Sequence, residues 1–154
     1  MNFDDHAQLV QAHWDYSCPE TLPYFQYLLS DKCLLPNSAV FDAETNVLVA
    51  HVLYSGDGAI GAGWVHPEYR GRGLYQVVIY DLCQKIFAMG QKVAWAYVSA
   101  DNDASTQAFR SIGGEECDYR VDWIESFPLV NNCITSNRII CQQSTIENTN
   151  GFEP

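Results

Sequence analysis

Arg70-Gly71-Arg72-Gly73 puts two cations and two glycines in four consecutive positions, types and spacing that suit anion chemistry. Glycine lets the backbone turn tightly and presents successive N–H groups with no Cβ in front of them. The segment from Leu74 is striped with apolar residues and predicts a helix, whose first N–H groups and dipole favour negative charge. With fixed charge from Arg70 and Arg72, the run from Pro67 through Gly73 into that helix reads as a pyrophosphate cradle. It is not a Walker A loop, because G-x-x-x-x-G-K-[ST] is absent. A lone R-G-R-G would more simply be a solvated basic turn or an RGG-type nucleic-acid segment. Here there is one copy, in a chain with eight Lys and Arg against nineteen Asp and Glu and a net charge of −11. Such acidity argues against general nucleic-acid binding and against docking on an anionic membrane. An anionic ligand must be held by a local positive site working against the overall field.

The elements that would position this stretch are readable around it. In "DDHAQLVQAHWDYS", Leu9, Val10, His13 and Trp14 recur at helical spacing after a capping-box-like Asp5 and Gln8. "ETLPYFQYLLS" predicts a second helix entered near Pro23. "SAVFD" and "NVLVAHVLYS" predict a hairpin, and "SGDG" at 55–58 a turn into a third strand, "AIGAGWV". After the glycine motif, Leu74, Val78, Leu82 and Ile86, flanked by Tyr75, Ile79, Cys83 and Phe87, give a helix with a broad buried face that stops near Gly90. "KVAWAYVS" predicts a central strand covered on both faces. "DNDASTQAFRSIGG" predicts a capped helix, and "ECDYRVDW" a half-buried strand. The polar stretch 131–154 predicts a flexible tail beyond a single domain over 1–130. The fold class expected is α/β (α+β), a mixed and mostly antiparallel central sheet flanked by helices.

Other candidates for chemistry are weaker. "GDGAIG", Gly56 to Gly61, matches G-x-G-x-x-G but is followed by a strand-like run closed by Pro67, so a dinucleotide fingerprint is not supported. His13, His51 and His66 have no paired acid or nucleophile at a readable spacing, so no triad is expected. The six cysteines show no metal-like spacing, and no metal is expected; reduced thiols are the simpler reading. With an acidic N-terminus unlike a transit peptide, an intracellular location, cytoplasmic or mitochondrial, is expected.

Val65-His66-Pro67-Glu68-Tyr69-Arg70-Gly71-Arg72-Gly73-Leu74 resembles V-x-P-x-[YF]-R-G-x-G-[LI] of the GCN5-related N-acetyltransferase (GNAT) superfamily. There the motif joins the fourth strand to a helix and binds the pyrophosphate of coenzyme A. Asn102, Ser105, Phe109, Gly113 and Gly114 resemble the superfamily's later N-x-x-A/S-x-x-x-Y-x-x-x-G-F run. Within the superfamily, "HAQLVQAHW", "PEYRGRGLYQVVIYDLCQKI" and "DYRVDWIESFPL" are most similar to the C-terminal domain of glycine N-acyltransferase and its relatives. Only Met1-Asn2-Phe3 stand where the superfamily's first strand would lie, so that strand is expected to be largely missing. An exposed sheet edge would then favour a homodimer.

The resemblance implies acyl-CoA as co-substrate and a small amine or amino acid as acceptor. It implies that the backbone of Gly71, Arg72, Gly73, Leu74 and Tyr75 holds the pyrophosphate, with the Arg70 and Arg72 side chains beside it. Gly63 and Val65 would pair with the pantetheine arm as an added strand, and Asn102 and Ser105 would touch it from the other side. The superfamily's small residue two past the last glycine is Tyr75 here. An amine must be neutral to attack a thioester, so a base is needed. The relatives' catalytic glutamate, eight residues before the motif proline, corresponds to Ala59, and Asp57, two positions earlier, is the named substitute. The frequent tyrosine acid corresponds to Phe109, leaving Tyr54, Tyr75 and Tyr97 as loose alternatives. Three functions follow as expectations: an acyl-CoA-dependent N-acyltransferase for a small amine such as glycine, a catalytically weak acyl-CoA-binding module, and a protein N-acetyltransferase.

Overall fold

A computed structural model describes residues 3–117, which belong to one compact unit, Met1–Val121. The order is α1 (Phe3–Ala12), α2 (Thr21–Leu28), β1 (Asn37–Phe41), β2 (Leu48–Tyr54), β3 (Ala59–Val65), α3 (Leu74–Ala88), β4 (Trp95–Ala96) and α4 (Asp103–Ser111). A 3-10 turn, Pro67–Tyr69, links β3 to the glycine motif. The sheet order is β1-β2-β3-β4, with antiparallel pairs β1–β2 and β2–β3 and a parallel pair β3–β4. This is the expected mixed, mostly antiparallel sheet flanked by helices, and Phe3 stands in a helix.

Every residue of β2 is buried, because both faces of the strand are covered. Ala50, Val52 and Tyr54 pack with Ile60 against Val78, Ile79, Leu82 and Ile86 of α3. Leu53 packs on the other face with Ala7, Val10, Phe25 and Leu28 of α1 and α2. The four α3 side chains are fully buried, each worth about 1.5–3 kcal/mol. Phe87 departs from the expected buried stripe and is exposed. Asp81 accepts a 2.6 Å hydrogen bond from the Ser38 hydroxyl and pairs with Lys85 at 2.6 Å, fastening α3 to β1.

"KVAWAYVS" is not the doubly covered central strand expected. Only Trp95 and Ala96 are paired. Ala94 and Ala96 pack on the core, while Val93, Trp95 and Tyr97 are 67%, 37% and 44% exposed. The central place belongs to β2. The strand expected over 116–123 lies outside the described residues except for Glu116 and Cys117, which are irregular, and 131–154 lies wholly outside them. Among the described residues no helix is long and apolar enough to cross a membrane.

Candidate active site

The glycine motif adopts the conformation its composition allows. Gly71 and Gly73 have φ of 71° and 75°, and a Cβ built on either would meet nothing within 4 Å. Gly73 caps α3, whose first turn closes with Val77 N–H donating to Gly73 O at 3.1 Å. The N–H groups of Gly73, Leu74, Tyr75 and Gln76 precede that bond, in the turn where a helix has no carbonyl of its own to offer them. These features fit a pyrophosphate: converging donors, a helix N-terminus, and open space that a side chain would fill.

The surrounding side chains hold this turn in place. The Tyr69 hydroxyl donates to Asp42 Oδ2 at 2.8 Å, while Asp42 Oδ1 accepts from the Glu44 and Thr45 N–H groups and the Thr45 hydroxyl. The Thr45 N–H, followed by the Tyr69 hydroxyl, draws the Asp42 pKa down to about 2. Thus the β1–β2 turn anchors the tyrosine of the motif, a role that one sequence position does not reveal. Arg70 Nε donates to Val65 O at 3.2 Å. The Arg72 guanidinium lies 4.9 Å over the Tyr69 ring and donates to Glu68 O at 3.2 Å.

Upstream of the motif, β3 is bent by a bulge. His51 pairs with Trp64 but Leu53 with Gly61, so Ala62 and Gly63 together face Val52. Ala62 has φ 49°, uncommon for a residue with a side chain. On its other edge β3 meets β4 only at Ala59↔Trp95 and Ile60↔Ala96. From Gly61 to Val65 that edge has no strand partner among the described residues, which is what an added extended arm requires.

A cleft of about 720 Å³ gathers these parts. Gly63, Val65, Arg70, Gly71, Gly73, Leu74, Tyr75, Asn102 and Ser105 all line it, so the structure brings these expected ligand-binding residues together. Arg72 is outside the lining, on Tyr69. Asn102 caps α4, its side chain accepting from Ser105 N–H at 3.0 Å. Asp57 does not line the cleft. Its Oδ1 accepts from the Ser55 hydroxyl (2.6 Å) and the Ala59 N–H (3.1 Å) in the β2–β3 turn, before the strand that carries Gly63. Of the three alternative tyrosines, Tyr75 lines the cleft, Tyr54 is in the core and Tyr97 is exposed.

Tyr75 crosses the cleft rather than pointing away. A Cβ on Gly63 would lie 2.6 Å from both Cε2 and Oη of Tyr75, and the ring stands edge-on to Phe109 at 6.3 Å. Burial pushes the phenol pKa up, opposed by the Ser105 side chain beside it. Gly63→Ala is therefore expected to destabilise the fold by about 1–3 kcal/mol through overpacking. Adding Tyr75→Ala should recover much of that loss, read as a coupling energy in a denaturation double-mutant cycle.

Three imidazoles surround Trp64, and no spacing in the sequence announced them. His13, just past α1, stacks on the indole at 3.7 Å with planes 6° apart. His51 of β2 lies 5.7 Å from it, and His66 5.7 Å away on edge. His51 is 1% exposed, and among the described residues neither of its ring nitrogens finds a partner in good hydrogen-bonding geometry. Burial first, then His13, lowers its pKa to about 4, with the Ala62 backbone at the bulge opposing the shift. His13 lines the cleft; its Nδ1 is buried without a partner, and its pKa is lowered by burial and then by His66. Among the described residues no group of three or more His, Cys, Asp or Glu is placed to hold a metal ion.

Solved structures share this fold. A Drosophila protein superposes with a TM-score of 0.62 at 22% identity, covering 73% of this chain but only 37% of that one. AAC(6')-Iy in complex with the bisubstrate analogue CoA-S-monomethyl-acetylneamine gives 0.60 at 15% identity, covering 82% of this chain and 95% of that one. Ribosomal-protein-alanine N-acetyltransferase from Brucella melitensis biovar Abortus 2308 gives 0.57 at 17%, covering 82% and 96%. No curated protein sequence matches. The family model for "FR47-like protein" matches residues 39–124, more than half of the chain, including the bulged strand and the glycine motif. The chain belongs to the FR47-like family, within the GNAT superfamily.

Proposed function

We propose that the protein is an acyl-CoA-dependent N-acyltransferase that moves an acyl group from coenzyme A to a small amine by direct attack, without an acyl-enzyme intermediate. The observation that carries this reading is the cleft in which the open first turn of α3, the β3 edge that lacks a strand partner among the described residues and the N-terminus of α4 converge. Bound acyl-CoA supplies the activated thioester. The chain's own part is to hold the pyrophosphate on the N–H groups of Gly71 to Tyr75, with Arg70 and Arg72 adding positive charge. It lays the extended arm along Gly63 to Val65 and offers a backbone N–H near Val65 to the developing oxyanion.

The glycine N-acyltransferase resemblance suggests glycine or another amino acid as acceptor. Charge beside the cleft bears on that choice. Asp15, Asp101 and Asp103 line an adjoining cavity, and a hydrogen bond from Ser99 keeps the Asp101 pKa low. Their field disfavours the carboxylate of an amino acid and favours an amine without one. Mass spectrometry of the purified protein with acetyl- and benzoyl-CoA against glycine, glutamine and 1,4-diaminobutane tests the reading, with acylated amine and free CoA as the expected products. The rival, a non-catalytic acyl-CoA-binding module, is favoured by Ala59 at the glutamate position and by Asp57 lying outside the cleft. Binding with neither product would support it. Arg70→Ala should weaken coenzyme A about tenfold under either reading, because the arginine that lines the cleft beside the first turn of α3 is lost; calorimetric titration checks this.

A further inference from the structure

We propose that His13 is the base that takes the proton from the acceptor amine. This rests on the N-acyltransferase reading above and supplies the group that Ala59 does not. The imidazole lines the same cleft as Gly63 and Val65, where the thioester arm is expected. Its stack on Trp64, the residue between those two, fixes the ring beside the arm's path.

The protonation state suits the task. Desolvation, and then His66, holds His13 in the neutral form near pH 7, although it follows the C-terminal end of α1, where the dipole favours a cation. The titratable groups around it are His6 and Asp15 from its own segment, His51 from β2 and His66 after β3. Asp15, Tyr69, Arg70 and Tyr75 line the same cleft, and Asp101 and Asp103 line the adjoining cavity.

The step balances as follows. His13 accepts one proton from the acceptor ammonium and later releases it to solvent. The neutral nitrogen forms the N–C bond at the thioester carbonyl, and the C–S bond breaks as the tetrahedral adduct collapses. The second proton lost by that nitrogen ends on the departing sulfur, giving the amide, free CoA thiol and one proton in solution.

The test is steady-state turnover of acetyl-CoA with the amines above, across pH 5 to 9, for wild type, His13→Phe and His13→Gln. Phenylalanine keeps an aromatic ring on Trp64, and glutamine serves if that ring misfits. Turnover is expected to fall on the order of a hundredfold or more, and the acid limb of kcat/KM below about pH 6.5 to disappear, with coenzyme A affinity retained. In wild type bound to CoA, adding the acceptor should shift the His13 imidazole resonances. If wild type acylates and both variants do so within threefold, or keep the acid limb, the assignment of His13 is overturned while the function stands. If wild type binds CoA and acylates none of the amines, the N-acyltransferase reading falls, and His13 with it.

Discussion

Gly73→Val should abolish useful coenzyme A binding, raising the dissociation constant by about a hundredfold or more. Gly73 sits at φ 75°, where a β-branched residue is strained by roughly 1–3 kcal/mol, and it caps α3, whose first N–H groups are the proposed cradle. The new side chain would project into open space, since nothing lies within 4 Å of a Cβ there. In the free protein it has room. In the complex it would meet the phosphates, so strain and exclusion act together; a hundredfold corresponds to about 2.7 kcal/mol. Gly73→Ala should show a smaller loss of the same sign. Calorimetric titration with CoA, alongside thermal unfolding, separates lost binding from lost fold. Near-native affinity in the valine variant would remove the cradle from this turn.

The second large effect is acid sensitivity. His51 is buried and has its pKa lowered to about 4 by desolvation, against an unfolded value near 6.5. A depressed histidine pKa means that the unfolded chain binds the proton first as pH falls. The contribution of His51 is therefore fully present above about pH 6.5 and is lost as pH drops toward 4. Linkage gives roughly 2 kcal/mol of lost stability between pH 7 and pH 4.5. His13 shifts in the same direction and adds to the loss, whereas Asp42, depressed to about 2, acts below this window. His51→Leu removes two ring nitrogens that have no good partner, so it should cost little at pH 7 and flatten the slope. Urea unfolding of both proteins at pH 7 and pH 4.5 reads the difference directly. Equal slopes would show that His51 is not the titrating group.

What the sequence could show follows from how local the physics is. The glycine turn into α3, on which the proposed cradle rests, was legible because glycines and a helix start act within a few residues of one another. The buried stripe of α3 was legible for the same reason, except at Phe87, which is exposed. The central role of β2 was not, because it depends on α1, α2 and α3 all packing against it. The all-apolar look of "KVAWAYVS" belongs instead to a short strand with one exposed face. The bulge at Ala62 and Gly63 left only a hint in the small residues Gly61-Ala62-Gly63. Tyr75 stood out as an unusual residue, but its direction, across the cleft against Gly63, is set by α3 and α4 together. The histidines around Trp64 come from the end of α1, from β2 and from the end of β3, so no one-dimensional spacing could join them. The place of Asp57 was not legible either, because its carboxylate closes the β2–β3 turn through the Ser55 hydroxyl and the Ala59 N–H.

Titration of the protein with CoA and, separately, with pantetheine, which lacks the pyrophosphate, tests the central claim most directly. If the first turn of α3 is a pyrophosphate cradle, CoA binds and pantetheine binds at least about a hundredfold more weakly, since its charge-assisted hydrogen bonds to the cradle are missing. Equal affinity for the two, or no binding of CoA at all, would contradict it.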